Sequence, residues 1–427
     1  MENIIRQVET VKQASYQLIS TETDKKNKVI QNLIQFIDEN REQILSENEK
    51  DIVKGKQEKL SAVLLKRLIL DNNKIDDMLD GLKDVLKLAD PAGQVLAKVQ
   101  LDDGLILEKI SVPLGVIGVI FESRPDALIQ ISSLCLKSGN AALLKGGKEA
   151  IFTNQCLFGL IEAAIKKSDP AFDGCLQLLE SREEIKEMLK LNDYIDLIIP
   201  RGSNDLVRYI QKNTSIPVMG HADGICHVYV DERADMEMAL SVSYDAKCQY
   251  PAVCNALETL LVHEKVAKRF LPKLLEKFND KVEIRGDQAT QNIIPVIAAT
   301  EVDWETEYTD LILSIRVVTS MDQAVEHINN FSSHHTDSII TDDNKKAAEF
   351  LNRIDSSSVM HNCSTRFADG FRYGFGAEVG VSTSKVHARG PVGLQGLMTY
   401  KYKVTGSGHI VSDYATGKKQ FNHQDLI

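Results

Sequence analysis

A cysteine in a short connection is the residue of this sequence best placed for covalent chemistry. Cys254 follows a helical pattern over residues 236–246 and precedes an apolar run, residues 259–262, that is typical of a buried strand. Between them Pro251 lacks a backbone donor and ends any helix. A thiol held between two rigid elements can be aimed at a substrate, but free cysteines are also often buried as small apolar residues. Local sequence alone leaves both readings of Cys254 open.

Three segments supply cations that would suit a thiol acting on an anionic substrate. They are Glu122-Ser123-Arg124-Pro125, Ser364-Thr365-Arg366-Phe367-Ala368-Asp369-Gly370 and His387-Ala388-Arg389-Gly390-Pro391. Guanidinium groups bind carboxylates and phosphates through paired hydrogen bonds. Structural alternatives remain: Arg366 and Arg389 can tie Gly-rich loops together, and His387 can be an ordinary loop histidine. The pair His334-His335 lacks a carboxylate companion, and adjacent residues rarely converge on one ion, so we predict no metal site.

Two turns combine small residues with cations where a strand is predicted to pass into a helix. They read Lys145-Gly146-Gly147-Lys148 and Pro200-Arg201-Gly202-Ser203. Exposed amides and the helix dipole favour anions at such junctions. The usual dinucleotide fingerprint, Gly-x-Gly-x-x-Gly after the first strand, is missing. The turns therefore indicate an unusual nucleotide phosphate site, with plain β–α turns bearing solvated cations as the alternative.

The elements around these residues follow the pattern of an α/β protein. Residues 1–89 are helical in pattern, and alternation around Asp102-Asp103-Gly104 predicts a two-strand hairpin. From Gly115 short apolar runs alternate with helices, which predicts a parallel sheet covered on both faces. A second α/β unit follows over residues 225–362, including a strand near residues 293–297, and the tail from Leu397 fits a strand.

Composition excludes several classes of protein. The chain has 427 residues, too many for one ordinary core, and a formal net charge of -11. It has no global basic field to attract nucleic acid or an anionic membrane, and no apolar run approaches a membrane span. Seven cysteines are scattered without metal-binding spacing. We expect free thiols in a reducing cytoplasm, with no nucleic-acid or membrane partner.

Seven segments, in order along nearly the whole chain, carry a resemblance to a known family. They are Val112-Pro-Leu-Gly-Val-Ile-Gly-Val, Lys145-Gly-Gly, Ile199-Pro-Arg-Gly, Gly224-Ile-Cys-His-Val-Tyr-Val-Asp231, Cys254-Asn-Ala-Leu-Glu-Thr-Leu-Leu-Val, Ser364-Thr-Arg-Phe-Ala-Asp-Gly and His387-Ala-Arg-Gly-Pro-Val-Gly-Leu394. The chain resembles the γ-glutamyl phosphate reductases, the proline-biosynthesis branch of the aldehyde dehydrogenase superfamily. The last three segments are the most specific.

The resemblance implies an aldehyde-dehydrogenase-like fold and a thioester mechanism. In the family the cysteine that matches Cys254 attacks L-glutamyl 5-phosphate and expels phosphate. Hydride from NADPH then reduces the thioester, and the thiohemiacetal collapses to glutamate 5-semialdehyde. Such a nucleophile must be a thiolate, which requires a lowered pKa, and the family's candidate oxyanion donor is the backbone N–H of Cys254.

For the cofactor, the resemblance implies sites in both halves of the chain. Lys145 matches the lysine that reaches the adenosine ribose or its 2'-phosphate. The turn at the pyrophosphate is matched by Arg201, Gly202 and Ser203, although Ser203 stands where the family often has Gly. Glu307 matches, through a weaker alignment, a glutamate on the nicotinamide ribose.

For the substrate, the resemblance implies four cationic contacts: Arg124, Arg366, His387 and Arg389. Arg124 occupies the region that supplies an oxyanion-hole Asn in other members, so the side-chain donor stays open. Asp126-Ala127 stands where the family usually has Asn-Val. This departure and the one at Ser203 are local and leave the expected reaction unchanged.

One stretch separates a reductase from an oxidising relative. Hydrolytic members of the superfamily carry a glutamate in a Glu-Leu-Gly-Gly segment, which activates water against the thioester. The corresponding stretch here, Met219-Gly220-His221-Ala222-Asp223-Gly224, has none, and Asp223 is shorter and displaced in register. Without that base, water does not divert the thioester to glutamate.

The resemblance also implies a three-part organisation. We predict a Rossmann-type nucleotide-binding domain from residues 1–91 and 113–224 with part of 364–396, a catalytic domain over 225–363, and a β oligomerisation arm from 92–112 and 397–427. We also expect the chain to form a homo-oligomer and to be functionally coupled to glutamate 5-kinase. The alternatives are a CoA-acylating or oxidising aldehyde dehydrogenase and, from another class, a catalytically silent nucleotide-binding or scaffolding relative.

Overall fold

A computed structural model describes residues 2–179, 182–221 and 223–427. The chain folds into two compact units. Unit 1 comprises residues 1–219, 375–379 and 392–427, and unit 2 comprises residues 220–374 and 380–391. Among the described residues, no helix has both the length and the apolar character needed to cross a membrane.

The helices of the described chain are, in order, α1 (Glu2–Leu18), α2 (Thr23–Glu39), α3 (Arg41–Gln57), α4 (Ala62–Leu68), α5 (Asn72–Lys87), α6 (Pro125–Ser138), α7 (Ile151–Lys166), α8 (Arg182–Met188), α9 (Asn204–Asn213), α10 (Met236–Cys248), α11 (Glu264–Phe278), α12 (Gln288–Gln291), α13 (Met321–Phe331), α14 (Asn344–Arg353) and α15 (Val411–Ala415).

The strands are β1 (Val95–Asp102), β2 (Leu105–Pro113), β3 (Val116–Phe121), β4 (Ala141–Gly146), β5 (Leu176–Leu179), β6 (Leu197–Arg201), β7 (Cys226–Val230), β8 (Leu257–His263), β9 (Glu283–Gly286), β10 (Ile297–Ala298), β11 (Ile312–Val318), β12 (Thr336–Ile340), β13 (Ser358–His361), β14 (Gly380–Ser382), β15 (Gly390–Val392), β16 (Met398–Thr405) and β17 (Gln424–Asp425).

Unit 1 is built around a parallel sheet with the strand order β5-β4-β3-β6. Every residue of β3 and β4 is buried, because helices cover both faces and the strands are continuous apolar runs. In the register of the sheet, Ile120 of β3 lies opposite Lys145 of β4 and Pro200 of β6. The predicted alternation of strands and helices is confirmed, and both cationic turns follow the carboxyl ends of neighbouring strands.

A second, antiparallel sheet in unit 1 has the order β16-β2-β1-β17. It contains the hairpin predicted around Asp102-Asp103-Gly104, where Gly104 takes a left-handed φ of 73° that suits glycine. Strand β16 pairs with β2 along its whole length and forms one edge of the sheet. Its aromatic residues Tyr400 and Tyr402 are 49% and 58% exposed, which leaves an apolar row on that edge.

Unit 2 is built around a parallel sheet with the order β10-β9-β11-β8-β7-β12-β13. All seven residues of β8 are buried, and α10 and α11 pack on its apolar side chains. The strand predicted near residues 293–297 is wrong: the segment follows α12, contains Pro295, and pairs only from Ile297 onward. Strand β9, Glu283–Gly286, was not predicted, because four residues with one buried aliphatic side chain give no clear alternation.

Candidate active site

The loop that carries Cys254 connects α10, which ends at Cys248, to β8, which begins at Leu257. Asn255 anchors it by donating from Nδ2 to the Ala368 carbonyl at 2.8 Å. Gly224 passes so close that a Cβ there would lie 2.2 Å from the Cys254 carbonyl oxygen. Cys254 itself is half-buried. The loop is therefore held from two sides, with its thiol partly accessible.

Two histidines flank this thiol, and the sequence interpretation assigned a role to neither. The Cys254 Sγ and one ring nitrogen each of His221 and His335 all lie within 4.8 Å of one another. The three residues come from the segments that precede β8, β7 and β12, which are adjacent strands of the parallel sheet. Parallel strands bring their preceding segments to one edge, so the trio forms at the amino edge of the unit 2 sheet.

The histidines change the charge state of the thiol. Burial raises the pKa of Cys254, but the charges of His335 and His221 outweigh burial and hold that pKa well below its usual range. For His221, burial lowers the pKa, but the Cys254 charge outweighs burial and the pKa rises to about 9. Both shifts favour the charged forms, so near neutral pH Cys254 is a thiolate beside an imidazolium.

A sulfur and two imidazoles also form part of the ligand set that zinc accepts. No further His, Cys, Asp or Glu joins the trio in the described part of the chain. The sulfur is the group that a thioester mechanism needs free. We therefore interpret the trio as a reacting group, and the predicted absence of a metal site stays a prediction.

Arg366 lies beside the nucleophile loop in unit 2. Its side chain is buried, and its Nε donates to Gln249 Oε1 at 3.0 Å, which fixes one side of the guanidinium. Burial lowers the pKa of Arg366, as does the like charge of Arg372, while the Cys254 thiolate opposes both. The structure thus brings Arg366 within electrostatic reach of Cys254, where the sequence interpretation expected a substrate cation.

Arg389 and His387 occupy a more exposed position in the same unit. Arg389 donates from NH2 to the Asp355 carbonyl at 3.0 Å and to the Asp355 carboxylate at 3.2 Å. His387 is exposed and takes a left-handed φ of 69°. Part of the Arg389 guanidinium therefore ties its loop to the segment between α14 and β13, as the structural alternative expects, and a substrate role for both residues stays a prediction.

Glu307 lies near the trio and near a fully buried ion pair. It raises the pKa of both His221 and Glu258, so it is electrostatically close to each. Glu258 accepts from the Lys247 ammonium at 2.7 Å, and both side chains have 0% exposure. Since Lys247 is in the last turn of α10 and Glu258 is near the start of β8, this pair closes the two ends of the Cys254 loop.

The predicted cofactor residues of unit 1 lie at the carboxyl edge of its parallel sheet. Lys145 ends β4 in a buried position, and Arg201 ends β6 with only β3 between them. Gly146 has no room for a side chain, since a Cβ there would lie 2.2 Å from Asn154 Nδ2. Lysine, two glycines and a helix start form a cradle that fits the phosphate-bearing end of a dinucleotide.

Two backbone amides at this edge already donate hydrogen bonds to carboxylates of the chain. The Ser203 N–H donates to Glu122 Oε2 at 2.8 Å, and a Cβ on Gly202 would lie 2.5 Å from the same oxygen. The Ser123 N–H and hydroxyl both donate to Glu149 Oε1 at 2.7 Å. A pyrophosphate at the Arg201–Ser203 turn would have to replace the Glu122 carboxylate, and a phosphate against Gly147 would have to displace the Glu149 carboxylate.

Arg124 precedes α6 in unit 1. Its guanidinium is 47% exposed and pairs with Asp126 at 3.0 Å. The residue borders a cavity of about 300 Å³ with an apolar floor that includes Met78, Leu82 and Ile129. The structure thus places Arg124 at a pocket of unit 1, and its substrate role stays a prediction.

The sequence alone did not predict a role for His221 or His335, and the reason is physical. His221 lies in the stretch used only to show a missing glutamate, and His335 was judged only as half of a metal pair. His221 lies in the segment before β7, and His335 immediately precedes β12. The order β8-β7-β12 joins strands that are far apart in sequence, and the spacing of residues does not reveal it. A search for histidines before predicted strands would have found both.

Comparisons with known proteins agree on one family. The sequence profile of the aldehyde dehydrogenase family matches residues 2–312. A γ-glutamyl phosphate reductase of Acetivibrio thermocellus is 54% identical over 418 residues, which cover 97% of this chain and 96% of that protein. The one from Pelotomaculum thermopropionicum is 55% identical over 417 residues, with the same coverage. A crystal structure of the enzyme from Thermotoga maritima superposes with a TM-score of 0.93 at 41% identity, covering 95% of this chain and 99% of that one.

Proposed function

This chain belongs to the aldehyde dehydrogenase family, and we propose that within it the chain acts as an NADPH-dependent γ-glutamyl phosphate reductase. It reduces L-glutamyl 5-phosphate to L-glutamate 5-semialdehyde and phosphate, the second step of proline biosynthesis from glutamate. The observation that carries this proposal is the Cys254 thiolate between two imidazoles, in a chain that lacks a water-activating glutamate in residues 219–224.

Cys254 is the nucleophile of the reaction. Its thiolate attacks the acyl carbon, the bond to the phosphate oxygen breaks, and the substrate becomes a thioester on Sγ. The Cys254 backbone N–H is the proposed donor to the oxyanion that forms on the way. Losing one such donor typically costs about a hundred- to a thousandfold in rate, so the rigid loop between α10 and β8 is part of the catalyst.

Four cationic side chains are proposed to bind the negative charge of the substrate. Arg366 is the first candidate, since its guanidinium is buried, fixed on one side by Gln249 and electrostatically coupled to Cys254. Arg389 and His387 are proposed for the outer part of the substrate, with Arg389 already half engaged by Asp355. Arg124 completes the proposed substrate set from unit 1.

A nicotinamide cofactor is a property of the family, and NADPH is our proposal for this chain. When bound, it supplies the hydride that reduces the thioester. Lys145 and the adjacent Gly146-Gly147 would hold its ribose phosphate, Arg201 to Ser203 its pyrophosphate, and Glu307 the nicotinamide ribose. What supports this is the buried ammonium and tight glycine cradle at the end of β4.

We propose a homo-oligomer joined through the antiparallel sheet. The exposed row on the edge strand β16, with Tyr400 and Tyr402 about half exposed, supports a strand-to-strand interface. We also propose functional coupling to glutamate 5-kinase, because an acyl phosphate hydrolyses readily in water. The seven free cysteines support a reducing compartment, and the cytoplasm is our proposal.

The reverse reaction tests the proposed function. Purified protein with glutamate 5-semialdehyde and NADP+ should form NADPH through many turnovers only when inorganic phosphate is present. CoA in place of phosphate should give none, which separates this enzyme from a CoA-acylating relative. NADPH formation that continues without phosphate would instead identify an oxidising enzyme, and absence of turnover under all conditions would identify a silent relative. Comparison with NAD+ measures the cofactor preference.

A further inference from the structure

We infer that His221 is the acid–base partner of Cys254: it stores the thiol proton and passes it to the departing phosphate. The inference deepens the proposed function and rests on it, because the departing group belongs to the proposed acyl phosphate. It adds a catalytic residue from a stretch of sequence that the thioester mechanism itself leaves without a role.

The backbone fixes which nitrogen of His221 faces the nucleophile. Nδ1 lies 2.8 Å from the Val381 carbonyl oxygen, and a carbonyl can only accept a hydrogen bond. Nδ1 therefore carries a hydrogen in either charge state, and in the neutral ring Nε2 holds the lone pair. A base oriented by a third group beside a nucleophile is the arrangement that activates serine and cysteine side chains. Here the third group is a main-chain carbonyl.

His335 is held differently. It is fully buried, and its Nδ1 lies 2.8 Å from the Thr336 hydroxyl and 3.8 Å from the Cys226 sulfur. A hydroxyl donates or accepts equally well, so this contact does not fix the position of the ring hydrogen. The His335 ring meets the His221 ring edge-on, with 4.7 Å between centroids. We assign His335 a supporting role: its charge favours the thiolate and its ring packs against the His221 ring, but it passes no proton to the departing group.

The surrounding charges stabilise both members of the pair. The ionisable groups that interact with Cys254 or His221 are His335, Arg366, Cys226 and Glu307. Glu307 is anionic and favours the imidazolium, whereas Arg366 is cationic and favours the thiolate. Cys226 is a buried thiol that donates to the Cys254 carbonyl at 3.2 Å, and it stays neutral because burial raises its pKa. Each member of the pair is therefore stabilised by a neighbouring charge of the opposite sign.

Proton accounting gives His221 a task in each half of the cycle. The resting pair holds one proton, on His221 Nε2. Thiolate attack breaks the carbon–oxygen bond to phosphate, and the proton on Nε2 goes to the departing phosphate oxygen, which leaves as hydrogen phosphate. Hydride reduction of the thioester and cleavage of its carbon–sulfur bond then return the thiolate. His221 takes one proton from solvent, which matches the single proton consumed in the overall reduction.

The first measurement needs no turnover. The rate of alkylation of Cys254 by iodoacetamide is followed against pH in the full-length wild type, His221→Asn and His221→Gln, with His334→Asn as the matched control. The wild type should react at nearly constant rate across neutral pH. Both His221 variants should instead show a midpoint shifted towards the ordinary thiol value of about 8.5, with alkylation near neutral pH slowed about tenfold or more. His334→Asn should behave as the wild type, because His334 is absent from the trio and Asn tolerates its φ of 60°.

The second measurement isolates the acid role. Acylation by acetyl phosphate, whose leaving group needs a proton, is compared with acylation by p-nitrophenyl acetate, whose leaving group does not. Near pH 8.5 much of the thiol is ionised even without His221. At that pH the acylation of His221→Asn by acetyl phosphate should still be about a hundredfold slower than that of the wild type. Its reaction with the nitrophenyl ester should be nearly that of the wild type. A His335→Asn variant should affect both substrates alike.

An unchanged alkylation profile in both His221 variants would overturn the inference, as would equal losses with the two acyl donors. A variant that fails to fold is recognised by alkylation of Cys135, Cys175 and Cys226, which are buried and protected in the folded chain. Failure of the proposed function would give a different result. The wild type would then show no phosphate-dependent turnover, although the alkylation profiles of the wild type and the variants would still differ as expected.

Discussion

The two parallel sheets of this chain place their candidate sites at opposite ends of their strands. In unit 1 the predicted cofactor residues follow the carboxyl ends of β4 and β6. In unit 2 the reactive trio precedes the amino ends of β7, β8 and β12. The carboxyl edge is where open α/β sheets usually bind ligands, so the nucleophile of unit 2 departs from the usual location.

The two edges also differ in their chemical groups. The carboxyl edge of unit 1 presents backbone amides, tightly packed glycines and lysines, which suit a bound phosphate. The amino edge of unit 2 presents a thiol and two imidazoles close together, with a buried guanidinium nearby. Binding an anion needs donors at a turn, whereas making a thiolate needs charged groups that change the pKa of one atom.

The largest effect is expected from a variant that removes the nucleophile at the amino edge of unit 2 and leaves unit 1 unchanged. Cys254→Ser should lower reduction of L-glutamyl 5-phosphate by at least about 10⁴-fold, because a serine hydroxyl is not ionised there and forms no thioester. NADPH affinity, measured by the change in its fluorescence on binding, should stay within about twofold. Cys248→Ala is the matched control, since this thiol is half-buried at the end of α10 and outside the trio. Equal loss of cofactor affinity would show that the two edges are not independent.

A second variant tests whether the amino edge binds the substrate anion. Arg366→Gln should lower kcat/KM for the acyl phosphate by about a hundred- to a thousandfold, because a buried cation beside the developing charge is lost. The KM for NADPH should not change. Arg353→Gln, which removes an exposed arginine paired with Asp322 and Glu349, should have little effect. A loss confined to the NADPH KM would reassign Arg366 to the cofactor.

The buried ion pair at the ends of the Cys254 loop gives a prediction about stability. Lys247→Met leaves the Glu258 carboxyl buried without its partner and should cost about 3 kcal/mol of unfolding free energy. Burial already raises the pKa of Glu258 to about 7, above its unfolded value. A carboxyl with a raised folded pKa stabilises the fold at low pH and loses that contribution as pH rises through the folded pKa. Because loss of Lys247 raises the pKa of Glu258 further, the wild type and the variant lose stability in parallel up to about pH 7, and the deficit should grow above it.

Denaturant unfolding at several pH values measures this deficit. Lys273→Met, on the exposed face of α11, is the control and should change the unfolding free energy by less than about 0.5 kcal/mol. A deficit that shrinks as pH rises would contradict the assignment of Glu258 as the raised carboxyl.

The smallest effect is expected on the cofactor preference, which tests the carboxyl edge of unit 1. Lys148 follows the Lys145 cradle, is 62% exposed and lies 3.4 Å from Glu58, which leaves its ammonium only loosely held. Lys148→Glu should reduce the preference for NADPH over NADH about tenfold, since a carboxylate repels a 2'-phosphate and accepts from a ribose hydroxyl. Alkylation of Cys254 should be unchanged. Lys190→Glu, another exposed lysine of unit 1, should leave the preference as it is.

The two edges also differ in how far the sequence predicts them. Lys145 and Arg201 were found because a turn after a strand is a local pattern, and Cys254 because Pro251 and the family motif mark its loop. His221 and His335 required knowledge that β7, β8 and β12 are neighbours, which is a property of long-range strand order. The Glu122 and Glu149 carboxylates at the cofactor turns likewise come from segments distant in sequence from the amides at Ser203 and Ser123, respectively.

The most direct test of the account is a burst experiment without phosphate. Wild-type protein mixed with glutamate 5-semialdehyde and NADP+ should form one NADPH per active site and then stop, because no glutamate activates water against the thioester. Mass spectrometry should find the glutamyl adduct on the peptide that contains Cys254, and phosphate should release it. Continuous NADPH formation without phosphate, or an adduct on any other residue, would contradict the account.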